Sequence, residues 1–318
     1  MKHTPKVTLI LIALFFVAQF TGLFTVNKYI IVEKNENTTT IVHEATPLGE
    51  QPTVPDDEKI SLAVGIIIMI LLGTGLFFIL IKFKMFLTWK IWYMLAVSAA
   101  LIVAFGVYLP TIGAVILGIA LAMWRIFRPN PIVHNLSEMF IYTGMAILIL
   151  PLLNLYSAGV LLFLISIYDM IAVWKSKHMI KMAEFQINST LFAGLSINYD
   201  RDAGKKVKLT STDKDKKIKI VKTKTSKVTH ERETKNAILG GGDIAFPLFF
   251  SVSLMEFLIV NRGFDKLSAL FFSMPVTIGA GIALFLLLTK GKKDTFYPAM
   301  PFISAGCLVG LAVVWLII

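Results

Sequence analysis

Nine blocks of apolar residues, most of them near twenty long, divide this chain. About 20 helical residues cover the hydrocarbon core of a bilayer, so each block is a candidate membrane span. They run Val7 to Val26, Ile60 to Ile81, Ile91 to Leu109, Thr111 to Trp124, Glu138 to Leu155, Ala158 to Trp174, Ala237 to Val260, Leu267 to Leu288 and Phe296 to Ile318. Only 16% of residues are charged, against roughly 25% in an ordinary soluble domain, and mean hydropathy is +0.74. A soluble reading fails. Sharing 318 residues among nine spans leaves about 35 apiece, so most connections are short. The expected fold class is all-α, a polytopic membrane protein with nine transmembrane helices.

The ends of these blocks carry further information. The run from Leu9 to Leu23 lacks a small-residue cleavage site at its end, so it reads as a retained helix and not as a signal peptide. The fourth block is short and ends in Arg125 and Arg128; a buried or tilted helix suits it as well as a perpendicular one. Pro110 separates it from the third by a tight hairpin. Glu33 to Lys59 is acidic and holds Pro47, Pro52 and Pro55, which predicts an extended or irregular loop.

Positive charge collects on the cytoplasmic side of membrane proteins. Lys2 and Lys6, Lys82, Lys84 and Lys90, Arg125 and Arg128, Lys175, Lys177 and Lys181, and Lys290, Lys292 and Lys293 all fall on one side of a nine-span chain. The acidic loop falls on the other. The amino terminus is therefore expected to be cytoplasmic and the carboxyl terminus extracytoplasmic. The chain divides into a six-helix membrane part over 1–181, a basic cytoplasmic loop over 182–236 and a three-helix part over 237–318. All three belong to one integrated membrane domain.

The loop explains most of the net charge of +11: Arg201 to Asn236 holds 13 Lys plus Arg and 5 Asp plus Glu. Positive-inside bias and attraction to anionic lipid headgroups account for that surplus. Membrane lipid is the expected partner of the loop, and nucleic acid is not. Met179 to Leu195 is mildly amphipathic and reads as a continuation of the sixth helix near the membrane surface. The single cysteine, Cys307, excludes an intrachain disulfide and a Cys-rich metal site. No cofactor and no metal are expected.

Acids inside spans are the informative residues, because a carboxylate in hydrocarbon costs several kcal/mol and marks a function. Asp169 and Asp243 are placed inside strong spans, whereas Glu138 and Glu256 sit nearer predicted ends, within reach of water or headgroups. Asp169 lies six residues before Lys175 and Asp243 seven after Asn236, about 9 and 10 Å from the same side at roughly 1.5 Å per residue. Two helices of opposite direction thus bring acids to one depth. Asp243 follows Gly240-Gly241-Gly242 and precedes Pro247, a loosened helix start that suits only a protein-buried or water-lined place. Pro298-Ala299-Met300-Pro301 opens the ninth block with a non-helical approach and is a third candidate wall of the same cavity.

Two neighbouring carboxylates share one proton. The ionised member can take a proton from water while the protonated one polarises a carbonyl, which is peptide hydrolysis without a metal or covalent intermediate. The residues alone leave other functions open. Paired acids on Gly- and Pro-broken helices also suit a transporter or ion-leak channel, and a non-catalytic scaffold is a third reading.

Taken together these segments resemble the presenilin and signal peptide peptidase family of intramembrane aspartyl proteases. Tyr168-Asp169 matches the family's YD motif and Gly240-Gly241-Gly242-Asp243 its GxGD motif. Pro298-Ala299-Met300-Pro301 resembles the PALP segment, with methionine in place of leucine. Ala172-Val173 and the run Asn188 to Leu195 extend the likeness. The resemblance implies Asp169 and Asp243 as the catalytic pair. It implies that Tyr168, Gly240, Gly241, Gly242, Pro298, Ala299, Met300 and Pro301 shape the site and position substrate. The implied substrates are transmembrane segments of other membrane proteins, admitted laterally and extended against a strand edge near Gly241 or the Lys205 to Ile220 run. A cytoplasmic amino terminus and the PALP-like form place the chain with presenilins. The loop between spans six and seven is short, basic and polar in its distal part, unlike the cleaved eukaryotic one. The implied protein is a compact microbial homologue in a prokaryotic cell membrane, acting without accessory subunits.

Overall fold

A computed structural model describes residues 5–35, 38–52, 54–175, 185, 191–201, 233–291 and 297–318. Among these lie nine long helices: α1 (Pro5–Tyr29), α2 (Lys59–Lys82), α3 (Phe86–Gly106), α4 (Thr111–Phe127), α5 (Pro131–Ile149), α6 (Leu155–Met170), α7 (Gly242–Arg262), α8 (Lys266–Lys290) and α9 (Met300–Ile317). Eight are long and apolar enough to cross a membrane. The ninth, α4, has 17 residues and covers about 25 Å at 1.5 Å per residue, the short end of the spanning range. The fold is the nine-helix membrane bundle expected from the apolar blocks.

Local signals set the helix ends. Asn154 and Ser157 form a reciprocal capping box at the start of α6. Asn130 caps α5, with Pro131 in the first turn, where a missing N–H costs nothing. Asp265 accepts the amides of Leu267 and Ser268 at 3.1 Å each, and the Ser268 hydroxyl together with these amides holds its carboxyl below the usual carboxylate range. Gly263 closes α7 with φ +68°, a left-handed turn that suits glycine.

The bundle is packed around α1, whose Leu11, Phe15, Leu23 and Val26 are fully buried. In contrast α2 buries only Ala63, Phe77 and Leu80 and leans on α6 at the edge of the bundle. Its exposed Ile68, Met69, Leu71 and Leu72 face the surroundings, as a lipid-contacting helix should. Glycines let α8 and α9 touch backbone to backbone, Gly279 against Gly306 and Gly310 against the Pro275 carbonyl.

Two short antiparallel pairs add to the helices. β1 (Ile30–Asn35) pairs with β2 (Thr38–His43), Ile31 facing Val42. β3 (Gly194–Arg201) pairs with β4 (Glu233–Gly240), Gly194 facing Gly240. Both correct the sequence reading. The first part of the acidic segment, expected to be an extended or irregular loop, is extended but paired as a hairpin, which the β-branched Thr40-Ile41-Val42 favours. The seventh span starts at Gly242 and not at Ala237, since 237–240 belong to β4.

Of the other two acids expected near helix ends, one lies there and one does not. Glu256 lies toward the end of α7, 2.7 Å from His43 Nε2 of β2, a contact that ties the hairpin to α7. Replacing His43 with alanine leaves a largely buried carboxylate without that partner. A loss of about 1–3 kcal/mol is expected, to be read from thermal unfolding in detergent; an unchanged transition would show that the contact carries no stability. Glu138 sits mid-helix and is 2% exposed, paired with Arg125, itself 4% exposed. Thus α5 starts at Pro131, seven residues before the expected boundary, and Arg125 is an interior residue. The basic loop with its Lys205 to Ile220 run, most of Met179 to Leu195, and Lys177, Lys181, Lys292 and Lys293 lie outside the described residues.

Candidate active site

Three helices converge on the candidate acids, since α6, α7 and α9 pack pairwise against one another. Tyr156 of α6 meets Phe257 of α7 edge-on at 6.2 Å, and Gly159 faces Phe250. Followed ten residues further along α6, this antiparallel register sets Asp169 level with the start of α7, where Asp243 stands in the first turn.

Asp169 precedes the last α-helical residue of α6, and a π-helical turn over Ile171–Lys175 follows. Such widened turns recur at functional sites because they redirect the side chains beside them. Met300 donates its N–H to Asp169 Oδ2 at 3.1 Å, and the Ala299 amide also bonds the carboxylate. The source of these donors is local. The first amides of a helix have no intrahelical acceptor, and Pro301, in the first turn of α9, offers none of its own. Pro298 and Ala299 approach outside the helix, which aims the first free amide of α9 at the acid. Below this contact Ser166 and Ser304 are 2.9 Å apart, a second tie between α6 and α9.

The glycines serve close approach. None of Gly240, Gly241 and Gly242 has a left-handed backbone. A Cβ on Gly240 would lie 3.3 Å from Asp243 Oδ2, so the carboxylate folds back over it. A Cβ on Gly241 would lie 3.1 Å from Tyr142 Oη and 3.5 Å from the Ala193 carbonyl. Gly242 opens α7 beside Phe246. The Tyr168 hydroxyl is 3.0 Å from Thr74 Oγ1 on α2. Thr74 gives its own proton to the Ile70 carbonyl, so Tyr168 is the donor. This contact ties α2 to α6.

Several contributors escape sequence reading. Gln19 of α1 is fully buried and gives Nε2 to the Ile244 carbonyl at 2.6 Å, one residue beyond Asp243. A glutamine within an apolar span was the available signal. Tyr142 and the α5 residues His134 and Asn135, which bond β3, had no such mark. The Tyr142 contact makes one expectation sharp. Gly241→Val drives a branched side chain into Tyr142 and the Ala193 carbonyl, displacing the turn before Asp243. Peptide cleavage by the variant should fall on the order of 10²-fold, the cost of roughly 1 Å of misplacement; wild-type turnover would mean the turn tolerates the bulk.

Residues 41–318 match the family model described as signal-peptide peptidase, presenilin aspartyl protease. The chain belongs to that family. It is therefore an integral, multi-pass membrane protein of the protease class whose family acts on membrane-protein substrates. Two solved structures share the fold, both described as a presenilin family intramembrane aspartate protease. The one in space group C222 is 16% identical and covers 97% of this chain and 99% of its own, with TM-score 0.59. The one in space group P2 is 16% identical over 100% of both, with TM-score 0.55. No curated protein sequence matches the chain significantly. None of these likenesses favours the transporter, ion-leak or scaffold readings.

Proposed function

We propose that Asp169 and Asp243 are the catalytic pair of an intramembrane aspartyl endopeptidase that cuts transmembrane segments. The observation that carries this reading is the hydrogen bond from the Met300 amide to Asp169. It joins the PALP-like segment to the YD acid, while the same helix packing levels that acid with the GxGD turn. Water held between the carboxylates gives a proton to the ionised one as its oxygen attacks the scissile carbonyl carbon, and the protonated acid donates to the carbonyl oxygen. Collapse of the tetrahedral intermediate breaks the C–N bond, and the proton passes to the leaving nitrogen. Tyr168, the three glycines and residues Pro298 to Pro301 hold this geometry.

A helical substrate must be extended before its peptide bond is open to attack. β3 and β4 form a two-stranded sheet among the described residues, and the far side of β3 is bonded by Asn135 and His134. The outer edge of β4, ending two residues before α7, is the place for an added strand. We further infer a cytoplasmic amino terminus, an extracytoplasmic carboxyl terminus, a prokaryotic cell membrane, action without accessory subunits, and one domain formed by 1–181, 182–236 and 237–318. The direct test is purified protein on a labelled transmembrane peptide, with products mapped by mass spectrometry. Two complementary fragments from an internal cut are expected. Intact peptide after prolonged incubation, with folded enzyme, would overturn the reading.

A further inference from the structure

A buried polar cluster on the far side of β3 has no part in the chemistry above. Arg125 of α4 pairs with Glu138 of α5, gives Nη1 to Ser137 Oγ at 2.9 Å and Nη2 to Tyr93 Oη of α3 at 2.6 Å. Both Arg125 Nη2 and Tyr93 Oη donate to the Phe192 carbonyl, each at 3.1 Å. One turn from Glu138, His134 Nε2 lies 2.7 Å from the Gly194 carbonyl. Asn135 brackets Ser196 like a neighbouring strand, donating to its carbonyl at 2.8 Å and accepting its amide at 3.0 Å.

The geometry points to Arg125, held by Glu138, as a positioning residue that fixes the β3–β4 pair, and through it Gly240 and Asp243, against α3, α4 and α5. This rests on Asp243 being catalytic. The chain of contacts is short. Phe192 lies two residues before Gly194, Gly194 faces Gly240 across the sheet, and Gly240 bears on the Asp243 carboxylate. Tyr142, one turn beyond Glu138, meets Gly241 from the same helix. A charge pair is a poor choice if stability were the only end, because apolar residues of similar volume commonly replace buried pairs without loss. A planar guanidinium, however, holds several acceptors in fixed directions, which is what holding one carbonyl at one height requires.

The test uses the full chain in lipid nanodiscs with the labelled transmembrane peptide. Arg125→Met combined with Glu138→Leu removes the clamp without stranding a charge. Turnover should fall on the order of 10²-fold, more than KM rises, and new products should appear from bonds flanking the wild-type cut. A folded double variant with wild-type turnover and one cut position would overturn the clamp. Should the double variant not fold, Arg125→Lys decides. It keeps a charge for Glu138 but loses the fork, so product spread is expected, and a wild-type product pattern would overturn the proposal. Hydrogen exchange at the amides of 239–244 gives a readout without catalysis. Faster exchange in either folded variant supports the clamp, and unchanged exchange overturns it. A wild-type chain that cuts nothing removes the protease reading, while the exchange result still decides the clamp.

Discussion

Asp169→Asn and Asp243→Asn should each lower cleavage of a transmembrane peptide by roughly 10⁴-fold or more, because members of a catalytic unit fail together and not additively. The double substitution should therefore cost little beyond either single one. Folding should persist in all three. An asparagine at 169 still offers an amide oxygen to the Met300 N–H, which now bonds Asp169 Oδ2 at 3.1 Å. An asparagine at 243 fits the same space over Gly240, where the carboxylate already lies in close contact. The measurement is initial rate by mass spectrometry alongside a thermal melt of each variant. A single variant that keeps more than about a tenth of wild-type turnover, far from the loss expected of an essential acid, would remove that aspartate from the chemistry.

How much of this was legible in the chain follows from which forces act locally. Span positions were legible because bilayer thickness imposes a length on every apolar run. Asp169, Asp243 and Pro298 to Pro301 stood out for the same reason, since acids and helix breakers are conspicuous in hydrocarbon. The β4 strand was not legible. Ala237-Ile238-Leu239 is apolar and runs into the seventh span, and a short apolar run does not distinguish strand from helix. Only the glycine triplet marks the change. His134 and Asn135 fell before the expected fifth block, which was placed from Glu138, yet they lie in the first turns of α5 and satisfy the edge of β3. Likewise Arg125 was counted with the positive charges at the cytoplasmic ends of the spans, because its partner, Glu138, lies on a different helix. Pairing across helices leaves no period in a sequence.

That pairing has the largest expected effect on stability. Glu138→Ala leaves Arg125, 4% exposed, without its countercharge, and the remaining partners Ser137 Oγ, Tyr93 Oη and the Phe192 carbonyl are neutral. Breaking one half of a buried pair costs about 3–5 kcal/mol, a large share of the 5–15 kcal/mol that holds a typical fold together. The corresponding loss should appear in denaturant unfolding in a fixed detergent. Replacing both partners with methionine and leucine should recover most of it, since no charge is then stranded. Recovery of stability without recovery of the cut position separates the two roles of the pair. A single variant that loses less than about 1 kcal/mol would place the pair among solvated surface contacts and deny it the leverage on β3 that its position implies.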